Sequence, residues 1–167
     1  MQAADGDFYG TTFYGGTSGA GTIFRITASG EFEVLYNFDP ESGKVPGYPI
    51  GGLTQGSDGN LYGTTCGAPA GSSGVAFKFA YTTRKLTVLQ NLGNAGGDSG
   101  STLMQATDGN FYGTTSVGQS IFRVSSTGTD FESWGIGGSP QDTPFQHTNG
   151  LLYGTNAVGG AYDRGVF

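Results

Sequence analysis

DGNFYGTT (108–115) occurs again as DGNLYGTT (58–65), as DGDFYGTT (5–12) and, altered, as NGLLYGTN (149–156). The copies start at 5, 58, 108 and 149, so their spacings are 53, 50 and 41 residues. Repeats of that length, built from several short strands, are the mark of propeller blades. Within each repeat a run such as GGLTQGS (51–57) precedes the phrase and a Gly-rich loop follows it. GTIFRIT (21–27), VAFKFAY (75–81) and SIFRVSS (120–126) come next, then EFEVLYNF (31–38) and KLTVLQNL (85–92). These runs are read as strands A, B, C and D of a four-stranded antiparallel blade. The reading is an all-β chain of one domain over residues 1–167, about three and a half propeller blades, with the first and last blades partial.

Local chemistry agrees. Asp-Gly between two strand-like runs is the strongest short hairpin signal, and it predicts two-residue type I′ turns at Asp58-Gly59 and Asp108-Gly109. In strand C, Phe24 and Ile26, Phe77 and Phe79, and Phe122 and Val124 alternate with Arg25, Lys78 and Arg123, the period-2 pattern of a half-buried strand. The cations are read as long side chains that cover apolar surface and keep their heads in water. All six prolines (Pro40, Pro46, Pro49, Pro69, Pro140 and Pro144) fall between the strands, where no central ladder needs their missing N–H.

Composition narrows the function classes. Thirty-three glycines and many Thr and Ser residues argue against helices. Aromatics at 13% argue against a disordered linker. Seven basic against 13 acidic residues leave a net charge of −6, which disfavours nucleic acid and anionic lipid as partners. Cys66 is the single cysteine, so no disulfide can form within the chain. There is no apolar run long enough for a membrane-spanning helix and no signal-peptide pattern.

LMQATDGNFYGTT (103–115), with GTIFRIT and VLYNF, closely resembles the Gloeo/Verruco tandem-repeat family of bacterial envelope and secreted proteins, and more distantly the propeller repeats of two-component sensor ectodomains. The resemblance implies a β-propeller and an extracellular or cell-surface location. It carries no agreed catalytic residues. The fourth copy departs from the pattern at Asn149, Leu151 and Asn156.

In an up-and-down blade the A–B and C–D turns share one face, and the B–C and D–A connections share the other. Here the first face has only tight turns. The second carries the irregular loops 39–52, 93–102 and 137–144, together with 13–20, 66–73 and 157–164, and variable loops on a rigid scaffold are where function concentrates. The candidate ligand residues on this face are Asp39, Glu41, Tyr48, Asp98, Asp142, Tyr162 and Asp163, with Tyr14 beside them; His147, on strand A, is a further candidate. Aromatic rings with carboxylates suit a glycan, so the first reading is a non-catalytic binding or scaffold module. Two rivals are a polysaccharide-active enzyme using a pair of these carboxylates and a purely structural repeat. No cofactor is expected, although loop carboxylates are also the donors that calcium takes.

Four further features need a reading. GGDSG (96–100) resembles a serine-protease nucleophile segment, but the sole histidine, His147, follows it, and that chemistry needs a base in another order. His147 replaces Ala3, Gly56 and Ala106 of the other copies, and strand A being innermost predicts that it faces a central channel. One His and one Cys do not make a zinc site. Gln2, Gln55, Gln105 and Gln146 share one repeat position, where an amide is expected to bond the backbone of a neighbouring blade; Tyr9, Tyr62, Tyr112 and Tyr153 are read as core with a polar tip. Because the chain starts within a strand A and ends at Phe167, the counterpart of Phe24, it is expected to be a piece of a longer repeat protein or a protomer that closes a ring with a second copy.

Overall fold

Each repeat folds as a meander because its four runs are short and alternate in polarity, and its A–B and C–D turns are too tight for anything but neighbouring antiparallel strands. The computed structural model describes residues 1–43, 45–66, 73–95, 101–140 and 142–158. Blade 1 holds β1 (Phe8–Thr12), β2 (Thr22–Ile26) and β3 (Phe32–Asn37), and a bridge between Gln2 and Phe8 supplies its innermost strand. Blade 2 is a four-stranded sheet in the order β4 (Thr54–Gln55), β5 (Leu61–Thr64), β6 (Val75–Ala80) and β7 (Lys85–Asn91). Blade 3 repeats it with β8 (Met104–Gln105), β9 (Phe111–Thr115), β10 (Ser120–Val124) and β11 (Phe131–Gly135). Blade 4 shows the pair β12 (Phe145–Gln146) and β13 (Leu152–Tyr153). Among the described residues there is no α-helix, and no helix is long and apolar enough to cross a membrane.

The A–B turns differ from expectation. Gly59 and Gly109 have φ of 79° and 83°, but Asp58 and Asp108 are not in the positive-φ region. Gly59 N–H donates to Gly56 C=O at 2.9 Å and Gly56 N–H to Asn60 C=O at 2.9 Å, so the loop has three residues, Ser57-Asp58-Gly59. This is a type I turn closed by a left-handed glycine. The aspartate selects it: Asp58 Oδ1 accepts Asn60 N–H at 3.1 Å, a local bond that a type I turn permits.

Blades meet face to face. The core between blades 1 and 2 joins Tyr9, Ile23 and Phe38 to Leu61, Phe77 and Phe79. The core between blades 2 and 3 joins Tyr62, Ala76 and Leu89 to Phe111, Phe122 and Val124, with Tyr62 stacked on Phe111 at 3.8 Å between ring centroids. The glycine of each YGTT follows from this packing. Gly63 pairs across the strands with Phe77, whose ring covers its Cα, so a Cβ there would lie 2.7 Å from Phe77 Cζ. Gly113 stands in the same relation to Phe122.

The repeated glutamine bonds the blade before it, as its repetition suggested. Gln55 Oε1 accepts Ala4 N–H, Gln105 Oε1 accepts Ser57 N–H and Gln146 Oε1 accepts Thr107 N–H, each at 2.8 Å. The amide end of each side chain donates back to its own A–B turn, as Gln105 does to Gly109 C=O at 3.0 Å. The strand C cations are tied down rather than free: Lys78 Nζ donates to Ser126 C=O at 3.1 Å, and Arg123 lies 3.2 Å from Glu132.

Candidate functional site

The two faces of the blades differ in chemistry. On the tight-turn face of blades 1 to 3 the tyrosine hydroxyl donates to the aspartate four residues before it, Tyr9 to Asp5 and Tyr62 to Asp58 at 2.8 Å and Tyr112 to Asp108 at 2.9 Å, whereas in blade 4 Tyr153 Oη accepts from Asn149 Nδ2 at 3.0 Å. Burial, then the aspartate, pushes the Tyr9, Tyr62 and Tyr112 phenols up. Burial would raise Asp58 as well. Hydrogen bonds from Asn60 and Tyr62 and the charge of Lys78 outweigh it and hold the carboxyl below its ordinary value. These groups are mutually satisfied, so they fix the turns and leave little for a ligand.

The irregular face is different. The loop between blades 1 and 2 enters a short 3-10 turn, Pro40–Ser42, with Asp39 at its N-terminal end and Glu41 exposed in its first turn. It then folds back so closely that a Cβ on Gly47 would lie 2.7 Å from Ala20 Cβ. Tyr48 is clamped on both sides: its N–H donates to Ala20 C=O at 2.7 Å, and its C=O accepts Cys66 N–H at 3.0 Å. The clamp holds Tyr48 at φ 62°, a region that costs a non-glycine residue about 1–2 kcal/mol. Pro49 then bridges to Thr65.

This clamp groups three rings. Phe13 lies 4.7 Å from Tyr14 and 5.3 Å from Tyr48, and Tyr14 lies 6.1 Å from Tyr48, two of the three contacts being edge-on. Tyr14 is 71% exposed, whereas Phe13 and Tyr48 are half-buried and support it. At the end of β3, just before this loop, the half-buried Tyr36 phenol is pushed up, first by burial and then by the charge of Asp39. The site is therefore a rigid aromatic ledge with acidic groups on the loop beside it.

The other predicted residues are dispersed. Asp142 lines a cleft of ≈ 190 Å³ between blades 3 and 4, with Ile121, Ile136 and Tyr153. Its Oδ2 accepts Thr155 Oγ1 at 2.8 Å, and no second carboxylate among the described residues lines that cleft. His147 opens the A–B turn of blade 4 on the tight-turn face, exposed beside Phe145 and Tyr153 and apart from the loop residues. Its small counterparts sit under packed rings: a Cβ on Gly56 would lie 2.6 Å from Tyr62 and 3.0 Å from Phe111. Asp98, Tyr162, Asp163 and the Phe167 counterpart of Phe24 lie outside the described residues. Among the described residues no group of three or more His, Cys, Asp or Glu side chains could hold a metal ion.

Sequence reading missed Phe13. The Phe13-Tyr14 pair directly after GTT was the available signal, since two adjacent rings leaving a strand end cannot both point into its core.

The fold recurs in solved structures. Selenomethionine-substituted virginiamycin B lyase from Staphylococcus aureus superimposes with a TM-score of 0.68 at 20% identity, covering 92% of this chain and 46% of that one. Luciferin-regenerating enzyme gives 0.62 at 14% identity, covering 93% and 52%. The extracellular domain of a proposed one component system from B. thetaiotaomicron gives 0.62 at 13% identity, covering 92% and 20%. The chain thus spans about half the length of the two enzymes, and at these identities the likeness is one of fold. No curated relative matches the chain. The family profile of the Gloeobacter/Verrucomicrobia repeat matches residues 1–167, and with its meander blades and recurring YGTT phrase the chain belongs to that repeat family.

Proposed function

We propose that this chain is a non-catalytic binding module that works outside the cytoplasm and takes carbohydrate on its irregular face. The observation that carries this reading is the ledge of Phe13, Tyr14 and Tyr48, fixed by the two backbone hydrogen bonds of Tyr48. A sugar ring has an apolar C–H face and a rim of hydroxyls. An exposed tyrosine ring buries the first, and its phenol and nearby carboxylates bond the second. Such a ledge is ordered before the ligand arrives, which lowers the entropic cost of binding. Asp39 and Glu41, on a chain of net charge −6, favour neutral over anionic sugars. An exterior location is supported by family membership and by the extracellular domain that shares the fold.

A glycan array on the purified chain, followed by calorimetry, tests the proposal. The expected result is binding of neutral oligosaccharides that weakens about tenfold or more in Tyr14→Ala and Tyr48→Ala, roughly the loss of one well-packed aromatic contact. Absence of any glycan signal, or glycan binding indifferent to both substitutions, overturns it.

A further inference from the structure

Tyr14 leaves β1 on a loop that composition alone would leave loose. Residues 13–20 read FYGGTSGA, and Gly15, Gly16 and Gly19 take φ of 92°, 78° and 70°. Glycine loses more backbone freedom on ordering than any other residue, so such a loop needs fastening if it is to hold a ring in place. Its stem is closed by Gly21 N–H, which donates to Gly15 C=O at 3.0 Å. Its middle is held from outside by one side chain. Asn37, half-buried at the end of β3, accepts Thr17 N–H on Oδ1 at 3.1 Å. Gly16 lies over the same oxygen: a Cβ there would stand 2.7 Å from Asn37 Oδ1 and 2.9 Å from Thr22 Cγ2.

The other blades use this position differently. Asn37 pairs with Thr22, as Asn91 pairs with Val75 in blade 2 and Gly135 with Ser120 in blade 3. Asn91 Oδ1 accepts Gly93 N–H at 2.8 Å, two residues on in its own chain segment, and Gly135 has no side chain. The position lies on the open rim of a blade rather than on a face that a neighbour covers, since Asn91 stays exposed with blade 1 packed against blade 2. The residues after the YGTT phrase change in step: Phe13-Tyr14 in blade 1, against Cys66-Gly67, Ser116-Val117 and Ala157-Val158. The blade that presents two rings is the one whose strand D amide is spent on the loop that carries them. We infer that Asn37 is a positioning residue of the aromatic ledge: its carboxamide oxygen holds the 13–20 loop so that Tyr14 stands against Phe13 and Tyr48 before a ligand arrives. This rests on the reading of the ledge as a glycan site. Thr17 N–H needs an acceptor, so a carboxylate would serve in place of the carboxamide and a hydrocarbon would not.

Hydrogen exchange and calorimetry together test the inference. Exchange is read on residues 14–20 without ligand, and binding is read with cellohexaose, mannohexaose and xylohexaose as probes. Asn37→Leu should speed exchange in the loop and weaken probe binding about fivefold, the population ratio that one hydrogen bond sets. Asn37→Asp keeps an acceptor for Thr17 and should restore both. On a Tyr14→Ala background the Asn37→Leu change should cost no further affinity, because no ring remains to be placed. If Asn37→Leu fails to fold, Asn37→Ala takes its place. Unchanged exchange in Asn37→Leu overturns the inference whatever the protein binds, as does Asn37→Asp binding as weakly as Asn37→Leu. Wild-type binding that falls in Tyr14→Ala but not in Asn37→Leu also overturns it and leaves the glycan reading standing. No wild-type binding on the array or to the probes overturns both.

Discussion

The side-chain carbonyl of Gln105 in blade 3 accepts the backbone N–H of Ser57 in blade 2 at 2.8 Å, while its amide holds Gly109 of its own turn at 3.0 Å. One side chain thus fixes two turns in two sheets. Gln105→Leu removes both bonds, with a third from its amide to Ser57 Oγ at 3.2 Å, from a half-exposed site and should destabilise by about 1–3 kcal/mol, since each such bond contributes about 1 kcal/mol. Urea unfolding followed by circular dichroism measures it, and a midpoint equal to that of the wild type would deny the bond its role.

Gly63→Ala should cost about 1–3 kcal/mol, the range for an overpacked core. The new methyl would meet Phe77 Cζ at 2.7 Å and Leu53 Cδ2 at 3.0 Å, and Phe77 is fully buried, with nowhere to swing. Phe77→Leu frees that space, so the double variant should lose less than the two single losses added together.

At Tyr48 the usual order of glycine and alanine should reverse. Both substitutions delete the ring, but only glycine is at ease at φ 62°. Tyr48→Gly is expected to be more stable than Tyr48→Ala by about 1 kcal/mol, read from thermal unfolding. The opposite order would mean that the loop relaxes once the ring is gone.

Stability should fall toward both ends of the pH scale for identifiable reasons. Asp58 and Asp108 are held below their ordinary values, because hydrogen bonds and a nearby cation outweigh the burial that would raise them. A carboxyl lowered on folding contributes stability above its unfolded value, about 4, and that contribution is lost as pH falls through the folded value. Tyr9 and Tyr62 are pushed up, first by burial, so their contribution is present below about pH 10 and is lost as pH rises beyond it. Asp58→Asn should flatten the acid limb and Tyr62→Phe the alkaline limb of unfolding free energy against pH.

Much of this was legible in the sequence because the repeat states the same solution several times. Four copies of one phrase fix the strand boundaries, and a glutamine in every copy announces a bond that every junction needs. The turn type was not legible, because Asp-Gly serves both a two-residue turn and the end of a three-residue one; the Asp58-to-Asn60 bond decides between them. Nor was the placement of His147, since repeat position reveals its small counterparts but not the rings that make them small. The ledge was half legible. Tyr14 and Tyr48 stand 34 positions apart, and only the double clamp on Tyr48 brings them within 6.1 Å.

The sameness of the blade junctions has an evolutionary corollary. Each inner blade offers its successor a tyrosine face with a backbone N–H to donate, and offers its predecessor a phenylalanine or leucine face with a glutamine carbonyl. An in-frame duplication of residues 51–100, one whole repeat, would therefore arrive with both mating surfaces already matched. The number of blades can change by unequal recombination without any interface having to be invented. Exposed positions of the irregular loops, such as Tyr14 at 71% exposure, can drift without touching that pairing, so a lineage of such proteins can alter its circumference and its binding surface as separate traits.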